Sequence, residues 1–189
     1  MPKATYFNLD EKRKEEIRTS SMDLFINNPY DDIAIREIAE KLDISVGSFY
    51  KYFDSKEDMY TYYMDLIEEK LFAHDDPSLK LQVNPLKDLK NLLSDKEYKY
   101  YNTWFKVPTT LYLEAYFVNY EDHISKRVKG LEGKLKDNKD LKTAKYFISN
   151  ALFNFLMFAR TFDKTDKPEE MSEKLKDYFS EVIIPSIIK

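Results

Sequence analysis

The stretch Ile35–Lys56, IREIAEKLDISVGSFYKYFDSK, decides how the rest of the chain is read. Ile35, Ile38, Ala39 and Leu42 recur at helical spacing and form one apolar stripe. Asp43-Ile44 interrupts the stripe, and Ser45 is a good N-cap for a new helix. In that second helix Val46, Phe49, Tyr50 and Phe53 follow the i, i+3, i+4, i+7 rule and are expected to face inward. Gly47, Ser48, Lys51 and Tyr52 then fall on the opposite side. Small residues there allow close backbone approach, while hydroxyls and an amine suit base edges and phosphates, as in a helix entering a major groove.

The ordered run Ile38-Ala39, Val46-Gly47-Ser48-Phe49-Tyr50-Lys51-Tyr52-Phe53 and Ser55-Lys56-Glu57-Asp58-Met59 resembles the helix-turn-helix signature of the tetracycline-repressor (TetR) family of bacterial regulators. The match reaches back to Ile17, Leu24-Phe25 and Tyr30 and covers roughly the first third of the chain. Two departures stand out. Ala34 opens the first helix of the motif, where the family usually has Ser or Thr, and Asp31 or Asp32 is expected to cap instead. Asp43 occupies the turn position usually held by Gly; aspartate tolerates a left-handed conformation better than most residues.

Composition sets wider bounds. At 189 residues, 43% hydrophobic and 34% charged, the chain has the profile of a soluble globular protein of one or two domains. The absence of cysteine excludes disulfides and thiolate chemistry. No secretory signal precedes the early charges, and the uncharged run 146–159 is too short to span a bilayer, so a cytoplasmic protein with no membrane partner is expected. Residues 1–60 hold nine Lys/Arg against thirteen Asp/Glu, so binding a polyanion would depend on local clusters. The candidates are Lys12-Arg13-Lys14 with Arg18, and Lys51 with Lys56.

Taken in order, residues 1–9 read as a flexible arm whose Lys3 could reach a phosphate. A first helix spans 10–27 and ends at Asn28-Pro29. Asp54-Ser55 caps a fourth helix that runs to about Ala73 with Met59, Tyr62, Tyr63, Leu66 and Ile67 inward. Helices are then expected over 85–93 and 96–107, and a long one from Pro108 towards Lys136. A turn at 138–140, a helix over 141–163 and a last helix from Lys167 to about Ile184, stopped by Pro185, complete an all-α reading. The expected division is a helix-turn-helix head over residues 1–55 and an effector-binding and dimerisation domain over 56–189.

Catalytic and metal chemistry finds little support. His74-Asp75-Asp76 and Glu121-Asp122-His123 lack a second histidine at helical spacing, and solvated charge explains them better than a metal. There is no glycine-rich phosphate loop and no nucleophile elbow, so neither an enzyme nor a cofactor is expected. Glu114 is the one charge between Val107 and Tyr120, in a stretch apolar all round, and is expected to be at least partly buried. It needs a partner there. That partner is either Arg160 or the positive charge of an effector in a pocket lined by Trp104, Tyr112 and Tyr116.

The resulting expectation is a sequence-specific DNA-binding transcriptional regulator, a repressor released by a small-molecule effector. Ser45, Gly47, Ser48, Lys51 and Tyr52 would lie against base edges or flanking phosphates, with Tyr50 and Lys56 on phosphates. The resemblance implies a homodimer on a palindromic double-stranded operator, with half-sites about 34–36 Å apart or a multiple. Phe147, Ile148, Ala151, Leu152, Phe155, Leu156 and Phe158, with Leu175, Tyr178, Phe179, Val182 and Ile183, offer more apolar surface than one core needs and fit a four-helix dimer interface. The alternative is a small-molecule-binding or protein-interaction module on the same fold that does not bind DNA.

Overall fold

The computed structural model of the protein describes residues 1–71, 91–104, 106–115, 131–137, 140–162, 173–174 and 176–189. It is all-α, and the described residues fall into two compact units. The first joins Met1–Glu68 with Leu93–Pro108; the second joins Glu69–Leu92 with Thr109–Lys189. The first unit thus extends well past the boundary expected at residue 55, and its second segment returns from later in the sequence.

Within the first unit the helices are α1 (Ala4–Phe7), α2 (Glu11–Asn27), α3 (Ile35–Lys41), α4 (Val46–Tyr52), α5 (Lys56–Leu71) and α6 (Asp95–Thr103). Asp10 caps α2 by accepting the Arg13 amide, and Ser45 caps α4 by accepting the Ser48 amide. Ser55 accepts the amide of Asp58 at the start of α5, as the sequence suggests. Neither Asp31 nor Asp32 caps α3. Both lie in a 3₁₀ turn (Tyr30–Asp32), and the first turn of α3 is steadied instead by the Glu37 carboxylate, which accepts the Ala34 amide at 2.8 Å. The residues expected to be a flexible arm form α1, and Tyr6 is buried.

Burial explains why α6 belongs to this unit. The inward face of α5 carries Met59, Tyr60, Tyr63, Met64 and Ile67, all at most 1% exposed. Of these, Tyr60 and Met64 were not among the residues expected to face inward. Tyr60 meets Phe25 of α2 at 5.0 Å between ring centroids, Tyr100 of α6 at 5.2 Å and Trp104 at 5.7 Å. Its hydroxyl pairs with Thr103 at 2.7 Å, and its carbonyl accepts the Tyr100 hydroxyl at 3.0 Å. Around this core α6 is tied to α2 by Lys96–Asp23 at 2.8 Å and Arg18–Glu97 at 3.3 Å. Burial pushes the phenols of Tyr60, Tyr63 and Tyr100 well above their ordinary pKa, so all three stay neutral.

The second unit holds α7 (Thr109–Leu113), α8 (Leu141–Phe162) and α9 (Ile184–Ile187). Residues 131–137 do not continue the long helix that the sequence predicts from Pro108 towards Lys136. They form a 3₁₀ turn (Glu132–Lys134) and an extended residue, Leu135, bridged to Ile188. Leu131 and Leu135 are buried, and the Lys136 amide donates to the Ile187 carbonyl. Pro185 does not stop the last helix either. A π-helical turn (Phe179–Ile183) precedes it and places Pro185 in the first turn of α9, where a missing N–H costs nothing. The helices expected over 85–93 and in the first part of 167–184, the turn at 138–140 and both histidine-containing clusters lie largely or wholly outside the described residues. No helix among the described residues is long and apolar enough to cross a membrane.

Tyr60→Phe should cost about 1 kcal/mol, the usual net value of one hydrogen bond. Tyr60→Ala should cost about 3–5 kcal/mol, as for other buried aromatics. Urea unfolding of both variants checks the ratio, and equal costs would mean that the ring does not organise the core.

Candidate nucleic-acid interface

Helices α3 and α4 pack against each other, and Ile38, Ala39, Leu42, Phe49 and Phe53 are each at most 4% exposed. The turn between them is closed by the Ile44 amide donating to the Ala39 carbonyl at 3.0 Å. Asp43 takes the left-handed conformation there, with φ 52°, in the place where the sequence departs from glycine.

Only part of the apolar pattern of α4 turns inward. Phe49 and Phe53 are fully buried, whereas Val46 is 41% and Tyr50 45% exposed. A helix of seven residues presents just two turns to its neighbours, and the two phenylalanines fill that contact. Ser45, Gly47 and Lys51 are also exposed, while Ser48 and Tyr52 are partly covered. At Gly47 an added Cβ would meet only Ser45 Oγ, at 3.8 Å, so the backbone on that side is open. The Ser45 and Ser48 hydroxyls lie 2.9 Å apart and share a hydrogen bond.

Two lysines do work the sequence did not reveal. Lys3 does not extend into solvent on a free arm. Its ammonium donates to the Tyr50 carbonyl at 2.8 Å and pairs with Asp54 at 2.6 Å, and its amide donates to the Tyr52 carbonyl at 2.8 Å. Thr5 donates to the Lys51 carbonyl, so three carbonyls at the end of α4, which an isolated helix leaves unpaired, are satisfied by α1 and the residue before it. Tyr6 anchors this arrangement among Tyr52, Phe53 and Tyr62, and burial raises its phenol to about 12. No periodic signal in the first nine residues could have announced a four-residue helix.

Lys56 is likewise engaged. Its ammonium donates to the carbonyls of Tyr30 at 2.8 Å and Ile33 at 2.9 Å and sits 4.3 Å from the Tyr30 ring centre. It ties α5 to the segment leading into α3. Arg13, Lys14 and Arg18 pair with glutamates on their own helix, which removes most of the first expected cationic cluster. Among the described residues, Lys12, Lys41, Lys51 and Lys56 of the first 60 make no ion pair, and only Lys51 lies on α4.

Of the other expected site, only Trp104 and Glu114 have described side chains. Trp104 is 1% exposed and packs on Tyr60 in the first unit. Glu114 lies in the second unit and is exposed, not buried: α7 gives way to a π turn there, and Ala115 takes the inward position instead. Tyr116 and the side chains of Tyr112 and Arg160 are outside the described residues. A cavity of about 430 Å³ is present in the first unit, lined by Asn28, Tyr30, Lys99, Asn102 and Lys106 among others.

A two-helix motif with a tight left-handed turn, an exposed second helix and a third helix locking its carbonyl end is a nucleic-acid-binding head of the helix-turn-helix class. Residues 17–63 match the family model of the bacterial regulatory proteins of the tetR family. The likeness to that family lies in the helix-turn-helix head. Over the whole chain, the crystal structure of a TetR family transcriptional regulator from Chloroflexus aurantiacus J-10-fl is similar at 20% identity and a TM-score of 0.43, covering 100% of this chain and 99% of that one. That degree of superposition does not extend the assignment beyond the head. No curated protein matches the sequence.

Replacing Lys3 by Met should leave the fold intact, because the Lys3–Asp54 pair is exposed and contributes little. It should speed amide exchange in the last turn of α4 and at Phe53, the region whose carbonyls Lys3 covers. Unchanged exchange there would show that α1 holds the helix without its lysine.

Proposed function

We propose that the protein is a sequence-specific DNA-binding transcriptional regulator in which α4 enters the major groove of a palindromic duplex. The observation that carries this reading is the outward face of α4: an open backbone at Gly47, an unpaired Lys51 and exposed Val46 and Tyr50, on a helix fixed at both ends. Phosphate contact is assigned to Lys51 and the Tyr50 hydroxyl, with Ser45, Gly47, Ser48 and Tyr52 flanking. Lys56 acts chiefly by holding the segment before α3 and keeps one ammonium hydrogen for a phosphate.

Homodimerisation is part of the proposal. In the second unit, Ile148 and Ala151 of α8 are buried with Phe179 and Ile183, while Tyr146, Phe147, Tyr178 and Val182 remain 38–65% exposed. Those four apolar side chains on two elements that pack together suit the surface of a second copy. Repression and effector release belong to the same proposal. The chain crosses between its two units three times, so a ligand in the second unit could act on the head through α5 and both ends of α6. The exposure of Glu114 weakens the case for a cationic effector held by that carboxylate.

Selection of bound sequences from random duplex DNA tests the function directly. Lys51→Ala should weaken binding to all sequences alike and lower the salt slope by about one unit. Gly47→Leu should abolish specific binding with an unfolding midpoint no lower than wild type, because the space around position 47 is open and glycine is a poor helix former. Failure of the wild-type chain to enrich any duplex would favour a module that binds ligands or proteins only. For the dimer, Val182→Lys with Tyr178→Glu should shift the sedimenting species to a monomer. A wild-type chain that is already monomeric at micromolar concentration would overturn that part.

A further inference from the structure

Base pairs are distinguished in the major groove by a short chemical code. Arginine or lysine reads guanine, asparagine or glutamine reads adenine, carboxylates accept from cytosine, and apolar side chains touch the thymine methyl. From Ser45 to Tyr52 the sequence is SVGSFYKY, with no Arg, Asn, Gln, Asp or Glu. The hydroxyls of Ser45 and Ser48 are bonded to each other at 2.9 Å, and Ser45 Oγ also accepts the Ser48 amide at 3.0 Å. The cap that starts α4 therefore uses part of the hydrogen-bonding capacity of the hydroxyls closest to its N-terminus. What that end offers outward is the side chain of Val46, 41% exposed, beside the bare backbone of Gly47.

Position matters as much as chemistry. In a helix-turn-helix head the N-terminal residues of the second helix are the ones that contact base edges. Val46 is the first residue of α4, and Tyr50, exposed to a similar degree, lies four residues on along the same side. A valine has one dominant rotamer in a helix, so its methyls form a surface of fixed shape. A scattered exposed valine on an ordinary helix means little. Here it stands at the reading end of a helix whose neighbouring serines are hydrogen-bonded to each other.

We propose that Val46 is a specificity-determining residue that reads thymine through its C5-methyl group. Each half-site then carries a T·A pair opposite the first turn of α4, and the methyl packs against Val46 with no hydrogen bond to the base. This inference rests on the head being a DNA-binding domain, and its test separates the two.

The full-length chain is first used to select duplexes from a random pool. Thymines of the selected site are then replaced one at a time by deoxyuridine, which keeps base pairing and removes only the methyl. One thymine per half-site should show a loss of about fourfold on demethylation, the worth of one buried methyl group. Val46→Ala should bind thymine and uracil duplexes alike at that position, with an unfolding midpoint unchanged from wild type. Uniform tolerance of uracil, or full methyl sensitivity in Val46→Ala, overturns the assignment to Val46 and leaves DNA binding standing. A wild-type chain that enriches no duplex overturns the DNA reading and this inference with it.

Discussion

A tyrosine in the middle of a core imposes a condition that a phenylalanine would not: its hydroxyl has to find a partner before the ring can be buried. Tyr60 meets that condition by pairing with Thr103, while its own carbonyl receives the hydroxyl of Tyr100. Both partners are on α6, so the chain must bring a segment more than thirty residues away back to α5 before the head's core is complete. Placement of α2 depends on the same contact, because Phe25 and Tyr60 share an aromatic edge and the ion pairs between α2 and α6 form around it. The platform beneath α3 and α4 is thus built from both ends of a discontinuous unit.

The electrostatic character of the head follows from which charges are already spent. Its excess of acid would repel a polyanion if spread evenly. Four of the six carboxylates on α2 and α3 instead lie against cations of their own helix: Glu11 on Lys14, Glu15 on Arg18, Glu16 on Arg13 and Glu40 on Arg36. The hydrogen bonds from Arg18 hold the Glu15 carboxyl below the usual range, so that pair stays formed at neutral pH. On α4 itself there is no carboxylate, and Lys51 remains uncompensated. Local arrangement, not net charge, sets the potential that a phosphate would meet.

How much of this was legible in the sequence depended on repetition. The helix-turn-helix was readable because Ile38, Leu42, Phe49 and Phe53 recur at helical spacing around a turn residue able to take a positive φ. Length limited the same rule on α4: two turns cannot bury four apolar positions, so Val46 and Tyr50 point outward. Contacts between distant segments leave no periodic trace, so nothing in the sequence announces that Lys3 binds the Tyr50 carbonyl or Lys56 the carbonyls of Tyr30 and Ile33. In the C-terminal part, hydrophobicity marked helix α8 but could not reveal that a π turn would carry the last helix past Pro185, or that the residues after Leu131 would leave the helical state.

Because the head is closed by a segment that returns after residue 92, it cannot be cut from this chain as a single piece. A fragment ending at residue 68 would leave Tyr60 and Phe25 without their α6 cover, exposing an aromatic face made for burial. Chimeras that exchange heads between chains with this arrangement would inherit the same requirement. The donor would have to supply two separate stretches, α1–α5 and α6, joined through the recipient's second unit. Modularity here runs along packing surfaces and not along the order of residues.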